Sequence, residues 1–220
     1  MSTGNIFCDA SMDIQHKIGC SGAMLVSEDF LTPIDYYYVK QINATNNSAE
    51  ILAIYEGVMM AIYFKNNRKE YGFNRFRIFS DSKVCIYGLR EWIYNWVNNQ
   101  NFDGTLRRSD MTPVLNQNRF KDIVRLILDY NVPISFVHQK GHTLSHQDAM
   151  SRNFFISTNG FTPESIGGEI KYFNKYNNEV DRISREKLYE RDTHLFFDGA
   201  LNSVIKPSEM SRFNALTHWI

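Results

Sequence analysis

The sequence predicts an α/β protein with a five-stranded mixed sheet flanked by helices. Three runs rich in strand-forming residues follow one another with short connections in the first 42 residues, which is typical of an antiparallel meander. Beyond them, strand-like runs alternate with segments of helical apolar spacing, which is typical of parallel strands joined by helices. The predicted element order is therefore β-β-β-α-β-α-α-β-α.

The meander is predicted at residues 5–9, 18–26 and 34–42. The first run is short and apolar and ends on an acid. The second contains small residues, which favours close packing against a neighbour, and Pro33 marks the turn that follows it. The third includes Tyr36-Tyr37-Tyr38-Val39, a run of strand formers.

The later elements alternate between helix and strand. Asn47 or Ser48 is predicted as the N-cap of a helix that runs to about Phe64, with Glu50 in its first turn. Two strands are predicted at residues 76–79 and 134–138. Helices are predicted at residues 82–96, 119–129, 148–155 and 170–189.

A change in composition near Ser157 suggests a boundary. At 220 residues, one domain with an appendage is the natural expectation. We predict a globular domain at residues 1–156 and a partly helical C-terminal extension at residues 157–220, which leaves a protein partner through the extension open. Apolar residues at helical spacing predict that the extension packs on the domain; they are Ile170, Phe173, Val180, Ile183 and Leu188.

The charge balance and the cysteines restrict the class of protein. Lys plus Arg total 24 and Asp plus Glu total 24, so the formal net charge is zero. Because there is no overall positive field, nucleic acid could be bound only through local basic clusters such as residues 65–69 or Arg107-Arg108. Three widely spaced cysteines favour neither a zinc site nor a disulfide framework and indicate a reducing compartment. No apolar run reaches the ~20 residues that span a bilayer, and no signal peptide is evident. We expect a soluble, cytoplasmic protein without a membrane partner.

Four carboxylates lie at the ends of predicted strands or at the starts of predicted helices. Asp9 and Asp81 follow strand-like runs, while Glu50 and Asp148 begin helices. Clustered carboxylates repel one another unless a cation compensates them, and oxygen ligands suit Mg²⁺ or Mn²⁺. Two such ions can clamp the attacking and leaving oxygens of a phosphodiester displacement, and His142 on a turn could assist proton transfer. Each acid alone is more often a turn or helix-dipole residue, so the hypothesis depends on the whole set.

Five short motifs in the chain occur in a recognisable order. They are Asp9-Ala10-Ser11, Thr45-Asn46-Asn47-Ser48-Ala49-Glu50, Asp81-Ser82 with Gly88 and Trp92…Trp96, His138-Gln139-Lys140-Gly141-His142, and Gln147-Asp148-Ala149-Met150-Ser151-Arg152. Together they resemble ribonuclease H of type 1. The resemblance covers about residues 5–155, and the predicted element order matches the ribonuclease H-like fold.

The resemblance implies an active site and a reaction. Asp9, Glu50, Asp81 and Asp148 would be the catalytic carboxylates that bind the metal, and His142 a catalytic histidine near the leaving group. The cofactor would be Mg²⁺ or Mn²⁺, with two ions expected. The substrate would be an RNA–DNA hybrid, whose RNA strand is hydrolysed to leave a 5′-phosphate and a 3′-hydroxyl.

The resemblance also implies substrate-binding residues, which are Thr45, Asn46, Asn47, Trp92, Trp96 and Asn116. The adjacent asparagines would reach the minor groove, where 2′-hydroxyls identify the RNA strand. The two tryptophans would line a channel for the DNA strand, although their helical stripe makes burial in the core equally expected. The threonine and the third asparagine would grip a DNA phosphate.

Several alternatives stay open. The stretch between His142 and Asp148 is shorter than in most cellular members of the family, so His146 could take the role of His142. A structure-specific DNA nuclease on the same fold is one rival function, but amides that sense 2′-hydroxyls would have no purpose on DNA. A catalytically weak or silent hybrid-binding protein is the other, and the presence of all four acids argues against it.

Overall fold

The central sheet is mixed, as the sequence predicts. In the computed structural model, which describes residues 2–29, 32–98, 102–141, 158–159, 170–190, 195–196 and 203–219, five long strands lie in the order β5-β4-β1-β2-β3. Their bounds are β1 (Ser2–Asp13), β2 (Ile18–Val26), β3 (Pro33–Ile42), β4 (Phe73–Ser80) and β5 (Ile134–His138). The first three pair antiparallel, whereas β1 with β4 and β4 with β5 pair parallel. This confirms the predicted five-stranded meander and parallel strands.

Helices cover both faces of this sheet. Their bounds are α1 (Asn46–Asn67), α2 (Lys83–Tyr87), α3 (Ile93–Val97), α4 (Gln117–Tyr130), α5 (Ile170–Leu188) and α6 (Met210–Thr217). Helices α1 and α4 pack against each other, and α1 lies on β1, β2 and β4. Helix α5 packs on β1 and β2. None of the helices in the described parts of the chain has the length and apolar character to cross a membrane.

Two hydrophobic cores result from the alternation of side chains along the strands. In β1, Ile6 and Cys8 belong to the larger core with α1 and α4, while Phe7 belongs to a second core on the opposite face. Three residues of α5 close the second core, namely Phe173, Tyr176 and Val180. The expected packing of the extension against the domain is therefore confirmed for this helix.

The predicted helix over residues 82–96 is not continuous. A π-helical turn, Gly88–Trp92, separates α2 from α3. A Cβ atom at Gly88 would lie 2.6 Å from the ring of Phe120 on α4, so the glycine permits a close approach between these elements. Tight packing against α4 thus accompanies an irregularity that apolar spacing did not reveal.

The C-terminal residues add further contacts. A short strand, β6 (Leu195–Phe196), pairs parallel with β3 at Lys40 and Gln41. Helix α6 packs on α4 and β5, where the Tyr94 hydroxyl lies 3.2 Å from Thr217 Oγ1. The predicted helix at residues 148–155 and the predicted boundary at residues 156/157 lie outside the described residues.

Candidate active site

Asp9 and Asp81 lie side by side because their strands are parallel neighbours. Phe7 of β1 is in register with Phe79 of β4, and each acid follows its phenylalanine by two positions. Both acids therefore emerge at the same end of the sheet and on the same face. The register that the site requires comes from the sheet and could not be read from either strand alone.

Glu50 reaches this edge from the start of α1. Thr45 is the N-cap: its hydroxyl accepts from Ser48 N at 3.2 Å, and Ser48 Oγ accepts from Thr45 N at 2.8 Å. The predicted cap at Asn47 or Ser48 is wrong, and so is the placement of Glu50 in the first turn, because this reciprocal capping box starts the helix earlier. Ser21 Oγ donates to Ala49 O at 2.7 Å and fixes this end of α1 on β2.

Three of the predicted ligands converge. Asp9, Glu50 and Asp81 each offer a carboxylate oxygen, and these atoms all lie within 4.8 Å of one another. Asp148, His142 and His146 lie outside the described residues, so their positions stay predictions. Oxygen donors at this spacing are suited to a hard divalent cation.

The electrostatics of Asp9, Glu50 and Asp81, here called the triad, favour the binding of a cation. Burial raises the pKa of Asp9 well above its ordinary value, and the charge of Asp81 raises it further. Burial also raises the pKa of Glu50 well above its ordinary value, with Asp9 and Asp81 adding to the effect. Glu50 Oε2 is buried and has no hydrogen-bond partner within the described residues. The carboxylates cannot all ionise so close together unless a positive charge compensates them, and a divalent cation would supply it.

The backbone beside Asp81 is held by the end of β5. His138 Nε2 lies 3.2 Å from Asp81 O, and Gln139 N donates to Ser80 O at 3.0 Å. Asn159 binds both backbone groups of His138: its Oδ1 accepts from the N–H at 2.9 Å, and its Nδ2 donates to the carbonyl at 2.6 Å. These contacts give Asp81 a fixed position at the sheet edge.

A groove of about 580 Å³ contains most of the predicted substrate-binding residues. Four of the six line it, namely Asn47, Trp92, Trp96 and Asn116, together with the basic pair Arg107-Arg108. The two indole rings lie 6.1 Å apart, and the second makes an edge contact with Phe120 at 5.4 Å. Both tryptophans are half-buried, and their predicted role in a channel for the DNA strand stays a prediction.

The other predicted nucleic-acid contacts lie in two places, either beside Asn47 or at the far end of α1. Thr45 and Asn46 are exposed beside Asn47, although the threonine hydroxyl already caps α1. The basic cluster at residues 65–69 is remote, because Lys65 lies about 22 Å further along α1 than Glu50 at 1.5 Å per residue. Lys65 Nζ donates to Asn131 O at 2.6 Å, which gives this end of the helix a structural contact.

The sequence did not single out one acid whose charge acts on Asp9 and Glu50. The charge of Asp181, on α5, contributes to the raised pKa of both Asp9 and Glu50. The residue lies within a heavily charged helix of the extension, so its charge did not distinguish it from its neighbours. Its position directly after Val180 gave no signal, because successive helical residues are turned by about 100° from one another.

Comparisons with known proteins identify the family of the chain. The RNase H family model matches residues 2–151. A ribonuclease H of Tropheryma whipplei (strain Twist) is 32% identical over 124 residues, which cover 56% of this chain and 67% of the relative.

Two solved structures share the fold. The foamy viral protease-reverse transcriptase in complex with RNA/DNA hybrid has a TM-score of 0.54 at 16% identity, and the match covers 86% of this chain and 20% of that one. The same viral protein in complex with dsDNA has a TM-score of 0.51 at 15% identity, and the match covers 86% of this chain and 94% of that one. The family match and the relative confirm the prediction of a ribonuclease H enzyme. The chain belongs to the ribonuclease H family.

Proposed function

We propose that this protein is a divalent-metal-dependent endonuclease that hydrolyses the RNA strand of RNA–DNA hybrids and leaves a 5′-phosphate and a 3′-hydroxyl. The observation that carries the proposal is the convergence of Asp9, Glu50 and Asp81, whose ligand oxygens lie within 4.8 Å of one another. Membership of the ribonuclease H family supports the substrate class. A viral protein of similar fold was solved with an RNA/DNA hybrid, which agrees with it.

The three carboxylates would hold Mg²⁺ or Mn²⁺, and two ions are proposed. When bound, such ions activate the attacking water and stabilise the leaving oxygen of the phosphodiester. The chain itself fixes the ligands before substrate arrives: β1 and β4 set the Asp9–Asp81 pair, and the capping box sets Glu50. This preorganisation lowers the reorganisation needed at the moment of reaction. The predicted fourth ligand, Asp148, and the predicted histidine, His142, would complete the site from outside the described residues.

The groove beside the triad would orient the duplex. Asn46 and Asn47 are exposed at the start of α1 and would donate to 2′-hydroxyls of the RNA strand in a wide, shallow minor groove. Trp92 offers a half-buried ring for the DNA strand, and Arg107 and Arg108 would face its phosphates. Thr45 and Asn116 are the N-cap residues of α1 and α4, where helix N-termini favour a phosphate.

The test compares wild type with Asp81→Asn on four substrates: a hybrid, double-stranded RNA, double-stranded DNA and single-stranded RNA, each with Mg²⁺, Mn²⁺ or chelator. We expect metal-dependent cleavage of the hybrid alone and at least a 100-fold loss in the variant. Asp129→Asn is the matched control, because Asp129 is an exposed acid on α4 paired with Arg125. Undiminished cleavage by the Asp81 variant, or equal cleavage of double-stranded DNA, would reject the proposal.

A further inference from the structure

The last residue of β5, His138, directs its backbone groups away from the rest of the sheet. Gln139 N donates to Ser80 O on β4 at 3.0 Å, and successive residues of a strand direct their backbone groups to opposite edges. The N–H and C=O of His138 therefore face the outer edge of β5, which is the outermost strand on its side of the described sheet. His138 is buried, so these two backbone groups need partners from elsewhere in the chain.

Asn159 takes the place that a further strand would occupy. Its Oδ1 accepts from His138 N at 2.9 Å, and its Nδ2 donates to His138 O at 2.6 Å. An asparagine amide carries one acceptor and one donor group side by side, so a single side chain can satisfy both backbone groups. Asn159 lies beyond residue 151, where the family match ends. The partner of the β5 edge therefore comes from the part of the chain that follows the matched residues.

Arg90 fixes the orientation of the Asn159 amide. Its Nη1 donates to Asn159 Oδ1 at 2.8 Å, and its Nη2 donates to Thr158 O at 3.0 Å. The guanidinium lies 4.8 Å from the ring centroid of Tyr87, and the Arg90 side chain is only 15% exposed. Because a guanidinium can only donate, it selects the oxygen of the amide and leaves the amide nitrogen for His138 O.

The backbone that Asn159 holds is in contact with a proposed metal ligand. His138 Nε2 donates to Asp81 O at 3.2 Å, and the bond from Gln139 N holds Ser80, the residue before Asp81. A shift of the end of β5 would therefore move Asp81, whose carboxylate belongs to the triad. Groups that hold a metal ligand from behind affect metal affinity and activity although they never touch the ion.

We propose that Asn159 is a positioning residue of the metal site, which holds His138 so that Asp81 presents its carboxylate to the cation. The proposal rests on the proposed function. Arg90 supports Asn159 from the π-helical turn that also carries Trp92, so the groove and the metal site share this support. The predicted extension thus has a part in the reaction without touching substrate or metal.

The first experiment measures Mn²⁺ binding to the full chain by calorimetry, together with the Mg²⁺ concentration that gives half the maximal rate of hybrid cleavage. Asn159→Leu is nearly equal in size and removes both bonds to His138 without a change of charge. We expect about tenfold weaker Mn²⁺ binding and an about tenfold higher Mg²⁺ requirement, with the KM for hybrid within about twofold of wild type. A lower melting temperature with wild-type Mn²⁺ binding and Mg²⁺ dependence would overturn the proposal. Because calorimetry needs no nucleic acid, a wild-type chain that binds Mn²⁺ but cleaves no hybrid would reject the proposed function and leave the role of Asn159 decidable.

Two matched arginine variants test whether the effect is specific to this place. Arg212 on α6 makes the same kinds of contact at the other end of β5, where its Nη2 donates to Leu128 O at 2.8 Å and to Asn131 Oδ1 at 3.1 Å. Arg90→Met should weaken Mn²⁺ binding about threefold, whereas Arg212→Met should leave it unchanged. Equal Mn²⁺ affinities of the two arginine variants would contradict the proposal. Since Arg90→Met leaves Asn159 in place, this comparison decides the proposal even where Asn159→Leu does not fold.

Discussion

Gly141 lies directly against the carboxylate of Asp81. A Cβ atom built on Gly141 would overlap Asp81 Oδ2 and lie 2.9 Å from Asp81 Cγ. The contact joins the turn after β5 to the end of β4, so two parallel neighbours meet at the proposed metal site. The glycine of the His138-Gln139-Lys140-Gly141-His142 motif therefore has a physical reason, because a side chain at this position would force the Asp81 carboxylate to move.

Gly141→Ala should displace the Asp81 carboxylate. We expect at least a tenfold loss in the rate of hybrid cleavage and a rise in the Mg²⁺ concentration that gives half the maximal rate. Since the methyl group acts on one side chain, the melting temperature should fall by only a few degrees. Initial rates across a Mg²⁺ titration, with circular dichroism as the folding control, would check this. Wild-type rates and Mg²⁺ dependence would show that Asp81 does not need the space.

Glu50→Gln should stabilise the metal-free protein as the pH rises. Burial raises the pKa of Glu50, so the folded state holds its proton to a higher pH than the unfolded state does. The stability that this group contributes is therefore complete below about pH 4.5, its ordinary pKa, and is lost as the pH rises through the folded-state value. The glutamine has no such loss.

Thermal unfolding in chelator from pH 4.5 to 8 would test this prediction. The melting temperature of the Glu50 variant should exceed that of wild type by an amount that grows with pH, and added Mg²⁺ should stabilise wild type more than the variant. Glu186→Gln on the exposed side of α5 should show no comparable trend. A Glu50 variant less stable than wild type at pH 8 would contradict the assigned electrostatics.

Substitutions of the two groove tryptophans should have different effects, on stability for Trp96 and on hybrid binding for Trp92. Trp96 packs on the larger core and on Phe120, so Trp96→Ala should lower the free energy of unfolding by about 2 kcal/mol. Trp92 contacts Trp96 and Tyr87 at 6.1 Å each, and its loss should mainly weaken hybrid binding. Urea unfolding and fluorescence anisotropy with a labelled hybrid would measure the two effects. Equal losses of stability in both variants would assign Trp92 to the core instead.

A chain ending at residue 158 should not fold stably. It lacks α5, and its second core would expose side chains from β1, β2, β4 and β5, namely Phe7, Met24, Val26, Phe79 and Val137. A chain ending at residue 190 keeps α5 and is the matched control, although it loses Phe213 of the larger core. Cooperative unfolding can be followed by circular dichroism. Wild-type stability in the shorter chain would support the predicted division at residues 156/157.

Local patterns were sufficient for most of the elements and for three of the site residues. The strand at residues 18–26 was predicted with its observed bounds, because β-branched and small residues between turn signals need no distant information. Asp9, Glu50 and Asp81 were found because each lies at the end or start of an element that the pattern defines. Their convergence depends on the register of β1 with β4 and on the position of α1, which the sheet and the capping box decide.

The sequence by itself determined the mixed sheet, the family and three acids, since period-two and helical apolar patterns are written in neighbouring residues. Tertiary structure alone decided which face of the sheet α5 covers and how closely the helix approaches Gly22. It also decided the π-helical turn against Phe120 and the contact between Gly141 and Asp81. These features depend on packing between segments far apart in the chain, where no local periodicity records which atoms will meet.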